Sequence, residues 1–312
     1  MIKYLKYEHI DKDKWDACVD EAFNGTIYAY SWYLDVVCEE WEGLVEGDYE
    51  RIFPINFKRK MGVGIIYQPF FTQQLGLISK TELTPGVVNE FLKAIPSKYK
   101  LIDLNLNIYN KPDLPDFNYT PQVNHELDLI SDYETLRKNY SSNTKRNLVK
   151  AEAGGLSITR GIKPDEVIDL FRQNRGKDIK VLKDDHYLKL KRLIYTCIYK
   201  GIGSVYGVYS GNNALCAAAV FIESKRKSIF IFSGLSDEGR EKRAMFFLVD
   251  NFIRENAGMH LTLDFDGSND EALSRFYKGF GSNRIDFVRI SRNMLPPLIK
   301  TTYKLYQRLK SS

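Results

Sequence analysis

Apolar periodicity along the chain runs through the same series of elements twice. Alternating or apolar runs predict strands over 2–10, 51–57, 65–67, 101–108 and 125–129, and helical spacing predicts helices over 11–22, 31–40 and 85–95. Asp11 stands at the cap of the first helix. The series then returns without visible sequence identity. A strand at 156–159 is followed by helices at 165–173 and 185–200 and by strands at 204–209, 214–222 and 228–233. A helix at 240–255, a strand at 261–266, a helix at 269–278 and a strand at 284–290 complete it, with Gly258 and Gly279 placed to stop the two helices. Three strands in succession between helices imply antiparallel meanders, so two copies of one mixed α/β unit explain this order better than one doubly wound sheet. At 312 residues the chain is long enough to bury a core in each copy. The expected division is 1–130 and 131–312, the second part beginning with a linker helix and ending in a basic helix.

Several function classes are disfavoured by what the sequence lacks. No GxGxxG follows the first strand of either repeat, which argues against a dinucleotide-binding Rossmann domain. Cys18, Cys38, Cys197 and Cys216 lie far apart with no CxxC pair, so they read as core thiols, with no disulfide framework and no metal site. His9, His125, His186 and His260 form no HExxH pair, and no nucleophile elbow is present. The N-terminus is charged where a signal peptide needs an apolar stretch, and no apolar run is long enough to span a bilayer, so a cytoplasmic location is expected. A net charge of +5 suits an anionic partner such as a nucleotide, a tRNA or an acidic cell-wall precursor, without selecting one.

The candidate chemistry lies mostly in the second repeat. On the strand 261–266, alternation sets Leu261, Leu263 and Phe265 on one face and Thr262, Asp264 and Asp266 on the other. Aminolysis of an ester or thioester needs a deprotonated amine, and a partly buried carboxylate beside a like charge has its pKa raised toward the range of a working base. Asp264 is the first candidate and Asp266 the second; the competing reading has either one pairing with an arginine or capping a turn. Ser268 and Glu271 have capping-box spacing, and a helix starting there offers unsatisfied amides to a carboxylate or phosphate. Arg275 and Tyr277 follow on that helix, with Phe276 and Phe280 at a packing interval. The segment 240–255 is apolar nearly all round and reads as a buried helix beyond its first turn. Over 132–152, Tyr133, Leu136, Tyr140, Thr144, Leu148 and Ala151 share one helical face, and Lys145 and Arg146 on the other are either solvated or in contact with phosphate. Gln73 and Gln74 have the hydrogen-bonding capacity to hold a peptide acceptor, or are simply solvated. The tail 298–310 is basic and amphipathic, suited to packing on a domain or to a membrane surface.

The run SSNTKRNLVKAEAGGL over 141–156 resembles the start of the second domain in the Fem peptidyltransferase family, where an Arg-Asn-x-x-Lys-Ala helix leads into a Gly-Leu/Val strand. LDFDGSN over 263–269 and RFYKGFG over 275–281 resemble the Asp-x-x-Gly-Ser and Phe-Lys-x-x-Phe-Gly blocks near the end of Fem-like proteins, and QQLG over 73–76 a block of the first domain. The resemblance implies tandem GNAT-like α/β domains of mixed sheets with a cleft between them. It also implies transfer of an acyl or aminoacyl group to an amine, in Fem proteins from aminoacyl-tRNA to a peptidoglycan precursor peptide. On that reading no cofactor is tightly bound, and aminoacyl-tRNA or acyl-CoA is the co-substrate. Asp264 and Asp266 are then catalytic candidates. Gln73, Gln74, Lys145, Arg146, Ser268, Arg275 and Tyr277 are substrate-binding candidates, and Arg240, Lys242 and Arg243 meet donor phosphate. Two departures stand out. The stretch 162–200 is too short for the helical hairpin arm of some Fem proteins. Acyl-CoA-dependent GNAT enzymes place Q/R-x-x-G-x-G/A before their third helix so that backbone amides approach the pyrophosphate. Here REKRAM over 240–245 puts Arg243 and Met245 at the small positions, leaving contact to the basic side chains. The alternatives are an acyl-CoA-dependent N-acetyltransferase and a non-catalytic binding protein on the same double fold.

Overall fold

The computed structural model describes residues 1–60, 62–267 and 269–296, in two units: Met1–Pro121 with residues from Phe287 on, and Gln122–Asp286. Ser268 and the basic tail 298–310 therefore lie outside the described residues. In the first unit, β1 (Ile2–Leu5) leads to α1 (Lys12–Glu21), capped by Asp11 through the Lys14 amide, and to α2 (Ser31–Val37). The helix expected over 31–40 stops at Val37 because Glu40–Glu46 forms a further strand, β2. Its residues 41–45 are buried without interruption, and a strand covered on both faces has no alternation to reveal it. β2 lies antiparallel between β1 and β3 (Arg51–Lys60), and β3 pairs with β4 (Val63–Ile66) and with the short β5 (Ile78–Ser79). After α3 (Pro85–Lys93), β6 (Tyr99–Leu106) runs parallel to β4. Trp15 of α1 packs on Trp41 of β2 with ring centroids 5.1 Å apart, and its indole N–H donates to the Ala29 carbonyl at 2.8 Å. A large side chain is thus buried without an orphan donor.

β7 (Asn118–Asp128) leads into the second unit. The single helix expected over 132–152 is two helices, α4 (Tyr133–Lys138) and α5 (Ser142–Glu152). Asp132 and Ser141 each accept from the amide three residues on, so two N-caps interrupt a run whose apolar spacing reads as continuous. β8 (Ser157–Arg160), α6 (Pro164–Gln173), α7 (Asp184–Tyr199), β9 (Gly203–Tyr209), β10 (Leu215–Ser224) and β11 (Lys227–Leu235) follow, β8 to β11 forming an antiparallel meander. The helix expected over 240–255 is also divided, into α8 (Asp237–Glu241) and α9 (Ala244–Asn256), because Arg243 between them is left-handed at φ 61°. β12 (Thr262–Asp264) returns parallel to β11, and α10 (Glu271–Lys278) follows it. Asp270 caps α10 by accepting from the Ala272 and Leu273 amides, in place of the expected Ser268 cap. Gly279 stays right-handed, and the left-handed turn comes at Gly281.

The sheet of the second unit is closed by the strand that follows β6 in the chain, and that of the first unit by the final strand. β7 lies antiparallel to β12 through Glu126–Asp128, and the final strand β13 (Asn283–Asn293) lies antiparallel to β6 through Val288–Asn293. Each unit then has the same order, three antiparallel pairs, one parallel pair and a closing antiparallel strand: β1-β2-β3-β4-β6-β13 and β8-β9-β10-β11-β12-β7. In the second unit α5, α9 and α10 bury one face of the sheet, with Phe221 and Phe252 stacked at 3.8 Å. The four cysteines are buried, and none of them forms a disulfide. No helix among the described residues is long and apolar enough to cross a membrane.

Gly239 seats α8 on β10, where a Cβ would stand 2.0 Å from the Cys216 carbonyl oxygen. Gly239→Ala should therefore lower the unfolding free energy by about 1–3 kcal/mol through overpacking. Gly86, in the first turn of α3, has no atom nearer than 3.7 Å to a Cβ. Gly86→Ala should raise the unfolding free energy by about 0.5–1 kcal/mol by restricting the unfolded chain and favouring helix. Urea unfolding of both variants tests the contrast, and a Gly239→Ala variant as stable as the parent would refute the tight seat.

Candidate active site around Asp264

β12 is short because its pairing with β11 ends at Ile229 and Asp264. Just beyond, Ile231 is an extra residue on β11, between the pairs Phe221 with Phe230 and Val220 with Phe232 on β10. A bulge bends its strand, and the parallel pair parts beyond Asp264, at the carboxyl end of β12 and part-way along β11.

Alternation sends Leu263 into the apolar core and turns Asp264 to the opposite face, beside Glu126, its register partner on β7. Asp264 is 5% exposed. Its Oδ1 accepts from Asn124 Nδ2 and from the Asp266 amide, both at 2.9 Å. Its Oδ2 lies 3.7 Å from Lys227 Nζ, which also donates to Glu126 Oε1 at 2.5 Å. Asn124 Oδ1 accepts from the Gly267 amide at 2.7 Å, so one side chain holds both the carboxylate and the turn after it. That turn is left-handed at Asp266 (φ 56°) and Gly267 (φ 97°), which directs successive amides back toward the strand end. Burial pushes the Asp264 carboxyl above its ordinary range; the Lys227 ammonium opposes that shift and the Glu126 charge adds to it.

The other face of β7 carries His125, which is fully buried. Its Nε2 lies 2.9 Å from Ser274 Oγ on α10 and its Nδ1 3.4 Å from Ser282 Oγ, while its carbonyl accepts from the Phe265 amide. Burial pushes its pKa down, and Lys278 and Arg284 add to that, so the ring is neutral and ties α10 to β7. Tyr277 stacks on Phe265 with centroids 4.6 Å apart, and burial raises its pKa, so it is a protonated core residue on the face away from Asp264. The backbone amide of Asp266, beyond the end of β12, is thus held at Asp264, and Tyr277 lies on the other face.

The remaining candidates have other surroundings. Arg275, Arg146 and Arg240 are exposed. Lys145 Nζ donates to the Lys138 carbonyl at 2.9 Å, at the end of α4, and Lys242 pairs with Glu238 at 3.1 Å. Arg243 donates to the Arg240 carbonyl at 3.0 Å, and its Nε is buried without an acceptor among the described residues. Gln73 and Gln74 belong to the first unit. Gln74 donates to Gln73 Oε1 at 2.5 Å and accepts from the Ile108 amide, so it fastens a loop to the end of β6. Asn124, Glu126 and Lys227 were not among the candidates. The only signal for Asn124 and Glu126 was alternation on one strand, and nothing local linked them to a residue some 140 positions away.

No protein-family model matches the sequence, and no curated protein matches it. Solved structures do match. FemX superposes with a TM-score of 0.66 at 13% identity, aligning 95% of this chain with 98% of its own. This chain has the fold of FemX. L-PGS from Bacillus licheniformis superposes with a TM-score of 0.55 at 11% identity, over 95% of this chain and 96% of its own. A conserved protein of unknown function from Bacteroides thetaiotaomicron VPI-5482 gives 0.59 at 9% identity, over 94% and 100%. The mixed α/β fold in two similarly ordered units expected from the sequence is the one observed. In this FemX-type fold the block 263–269 carries Asp264, the block 275–281 spans the end of α10 and its closing turn, and the block 141–156 opens α5, where the Ser141 amide donates to the Gly279 carbonyl at 2.9 Å.

A raised carboxyl pKa in the folded chain means that the native state binds more protons than the unfolded state above the ordinary carboxylate range. The ionisation penalty at Asp264 is absent at low pH and develops as pH rises through the raised value. Asp264→Asn keeps an oxygen for the Asn124 and Asp266 donors and removes the charge. The Tm of the variant relative to the parent should therefore rise between about pH 5 and about pH 8 in calorimetric scans. A difference that stays flat or falls over that interval would mean the carboxylate is no burden to the fold.

Proposed function

We propose that this chain is a Fem-like N-acyltransferase that moves an acyl or aminoacyl group from an activated ester or thioester to an amine. The observation that carries the reading is Asp264, a buried carboxylate of raised pKa at the point where β11 and β12 part. In this reaction the amine attacks the donor carbonyl carbon and gives up a proton to Asp264; the donor's C–O or C–S bond then breaks, and the departing alcohol or thiol takes the proton. Asn124 and the Asp266 amide hold Oδ1, which leaves Oδ2 as the basic atom beside Lys227. Asp266 supports the charge of the pair.

The donor is an aminoacyl-tRNA, in keeping with the Fem-like sequence blocks and the fold, and the acceptor is the amine of a cell-wall precursor peptide. Lys145, Arg146, Arg240, Lys242 and Arg243 supply positive charge for that donor, and Gln73, Ser268 and Arg275 are kept as acceptor contacts. Acyl-CoA is the competing donor, and it meets Arg243 and Met245 where a close backbone cradle needs small residues. Both donors are cytoplasmic, which sets the expected location. On this reading 1–130 and 131–312 are GNAT-like domains.

With aminoacyl-tRNA and an amine-bearing peptide as substrates, Asp264→Asn should slow transfer by about 10²- to 10⁴-fold, the usual loss for a general base, with donor affinity nearly unchanged. Asp266→Asn should slow it less. Single-turnover transfer of a labelled aminoacyl group measures both. Near-parental transfer in Asp264→Asn removes the base from the mechanism, consumption of acyl-CoA alone makes the chain a CoA-dependent enzyme, and consumption of neither donor makes it a binding protein.

A further inference from the structure

One stretch of the described chain carries a large share of its positive charge. Residues 172–200 hold nine Lys or Arg against three Asp, a greater excess than the net +5 of all 312 residues. The stretch covers the end of α6, the connection that follows and the whole of α7. α7 packs on α6 and β9 through Tyr187, Leu190, Leu193, Ile194 and Cys197, which share one helical face. That face alone accounts for the fold of the helix.

The opposite face is not the polar one expected of a surface helix. Leu188, Arg192, Tyr195 and Tyr199 follow at intervals of four, three and four residues, along one line. Leu188 is 63% exposed and Tyr199 92%, and Val181, just before the helix, is 60% exposed. Ile198 is exposed at the margin of the line. Arg192 stands within it, and Lys200 follows Tyr199 at its end. Of the acidic groups on this side, Asp184 pairs with Arg172 at 2.6 Å, and Asp165 of α6 accepts from Lys191 and from the Tyr195 hydroxyl; Asp185 is exposed at the first turn.

We propose that the outer face of α7 rests on an anionic lipid surface. Lysine and arginine around an apolar line are attracted to acidic headgroups, while Leu188, Val181 and Ile198 enter the boundary of the acyl chains and Tyr195 and Tyr199 lie at headgroup depth. A nucleic acid would use the same charge and the tyrosine rings, but it gives the exposed aliphatic side chains nothing to bury against. The charge together with the aliphatic exposure selects lipid.

Sedimentation of the full chain with vesicles tests this without turnover, so it is decided separately from acyl transfer. The chain should bind phosphatidylglycerol-rich vesicles, weaken as salt is raised, and bind phosphatidylcholine vesicles poorly. The double variant Leu188→Ser, Tyr199→Ser should lose about tenfold or more in affinity for the anionic vesicles. Both side chains point outward, so circular dichroism should be unchanged. Absence of binding to anionic vesicles at low salt, or undiminished binding by the double variant, overturns the proposal. So does a dimer of the parent that this variant dissociates, which would assign the face to a second copy. A transfer-RNA gel shift lost in the variant without vesicle binding would assign it to nucleic acid and overturn the proposal too.

Discussion

The site depends on the antiparallel pairing of β7 with β12. Three residue pairs, Thr262 with Asp128, Leu263 with Leu127 and Asp264 with Glu126, set which groups meet. Because side chains alternate, a slip of one residue would send Asp264 into the apolar layer and Leu263 out of it. In the observed register Leu127 and Leu263 enter the core, and Asn124, Glu126 and Asp264 gather on the other face with Lys227. Hydrophobic burial of one face thus dictates the chemistry of the other. His125 secures the arrangement from the core side, since its neutral ring reaches Ser274 of α10 and its carbonyl holds the Phe265 amide.

Sequence periodicity found most elements of the second unit and set Asp264 on the face opposite Leu263, because a strand half covered by core leaves alternation in its residues. The strand expected over 261–266 ends at Asp264, however, and Asp266 is left-handed, so the alternation does not reach Asp266. Periodicity failed where that signal is physically erased. β2 is buried on both faces and reads as part of a helix, and the apolar runs of 132–152 and 240–255 hide their breaks. Those breaks come from single residues, the Ser141 cap and the left-handed Arg243, which spacing does not register. A non-glycine residue at positive φ is strained, and nothing in the identity of Arg243 announces it. The partners of Asp264 were illegible for a different reason. Asn124, Glu126 and Lys227 reach it through strand pairing over long sequence separations, and one sequence holds no record of pairing. Tyr277 carried a site-like residue type beside a core-like interval, and the interval proved the better guide.

Burying Asp264 beside a half-buried Glu126 and one lysine is unfavourable for the fold. Oδ1 of Asp264 has two donors and Glu126 has its ion pair, yet desolvation still outweighs them at Asp264. A neutral pair of the same shape would satisfy the same amides without that penalty. Glu42 in the first unit makes the comparison concrete: it is also buried, but Tyr4, Tyr99 and Lys98 all donate to it, and together they hold its carboxyl below the ordinary range despite burial. A buried carboxylate with enough donors is a structural anion, whereas Asp264 has fewer donors and a neighbouring like charge, the arrangement that makes a proton acceptor.

The place of β7 in the second unit gives that arrangement a consequence for where the chain divides. Cutting the sequence at the end of the first repeat, near residue 130, would leave β11, β12, Asp264 and Lys227 on one piece and Asn124, His125 and Glu126 on the other. The piece with Asp264 would lose the donor that fixes Oδ1, the charge that raises its pKa and the strand that covers β12. A three-residue strand paired on one side only has a bare edge and few hydrogen bonds, so the turn at Asp266 and Gly267 would lose its anchor as well. The repeated order of elements suggests two separable modules. Asn124 and Glu126 of β7 belong with Asp264 and Lys227 to the unit Gln122–Asp286, so a cut near residue 130 would pass through the unit that holds the whole carboxylate site.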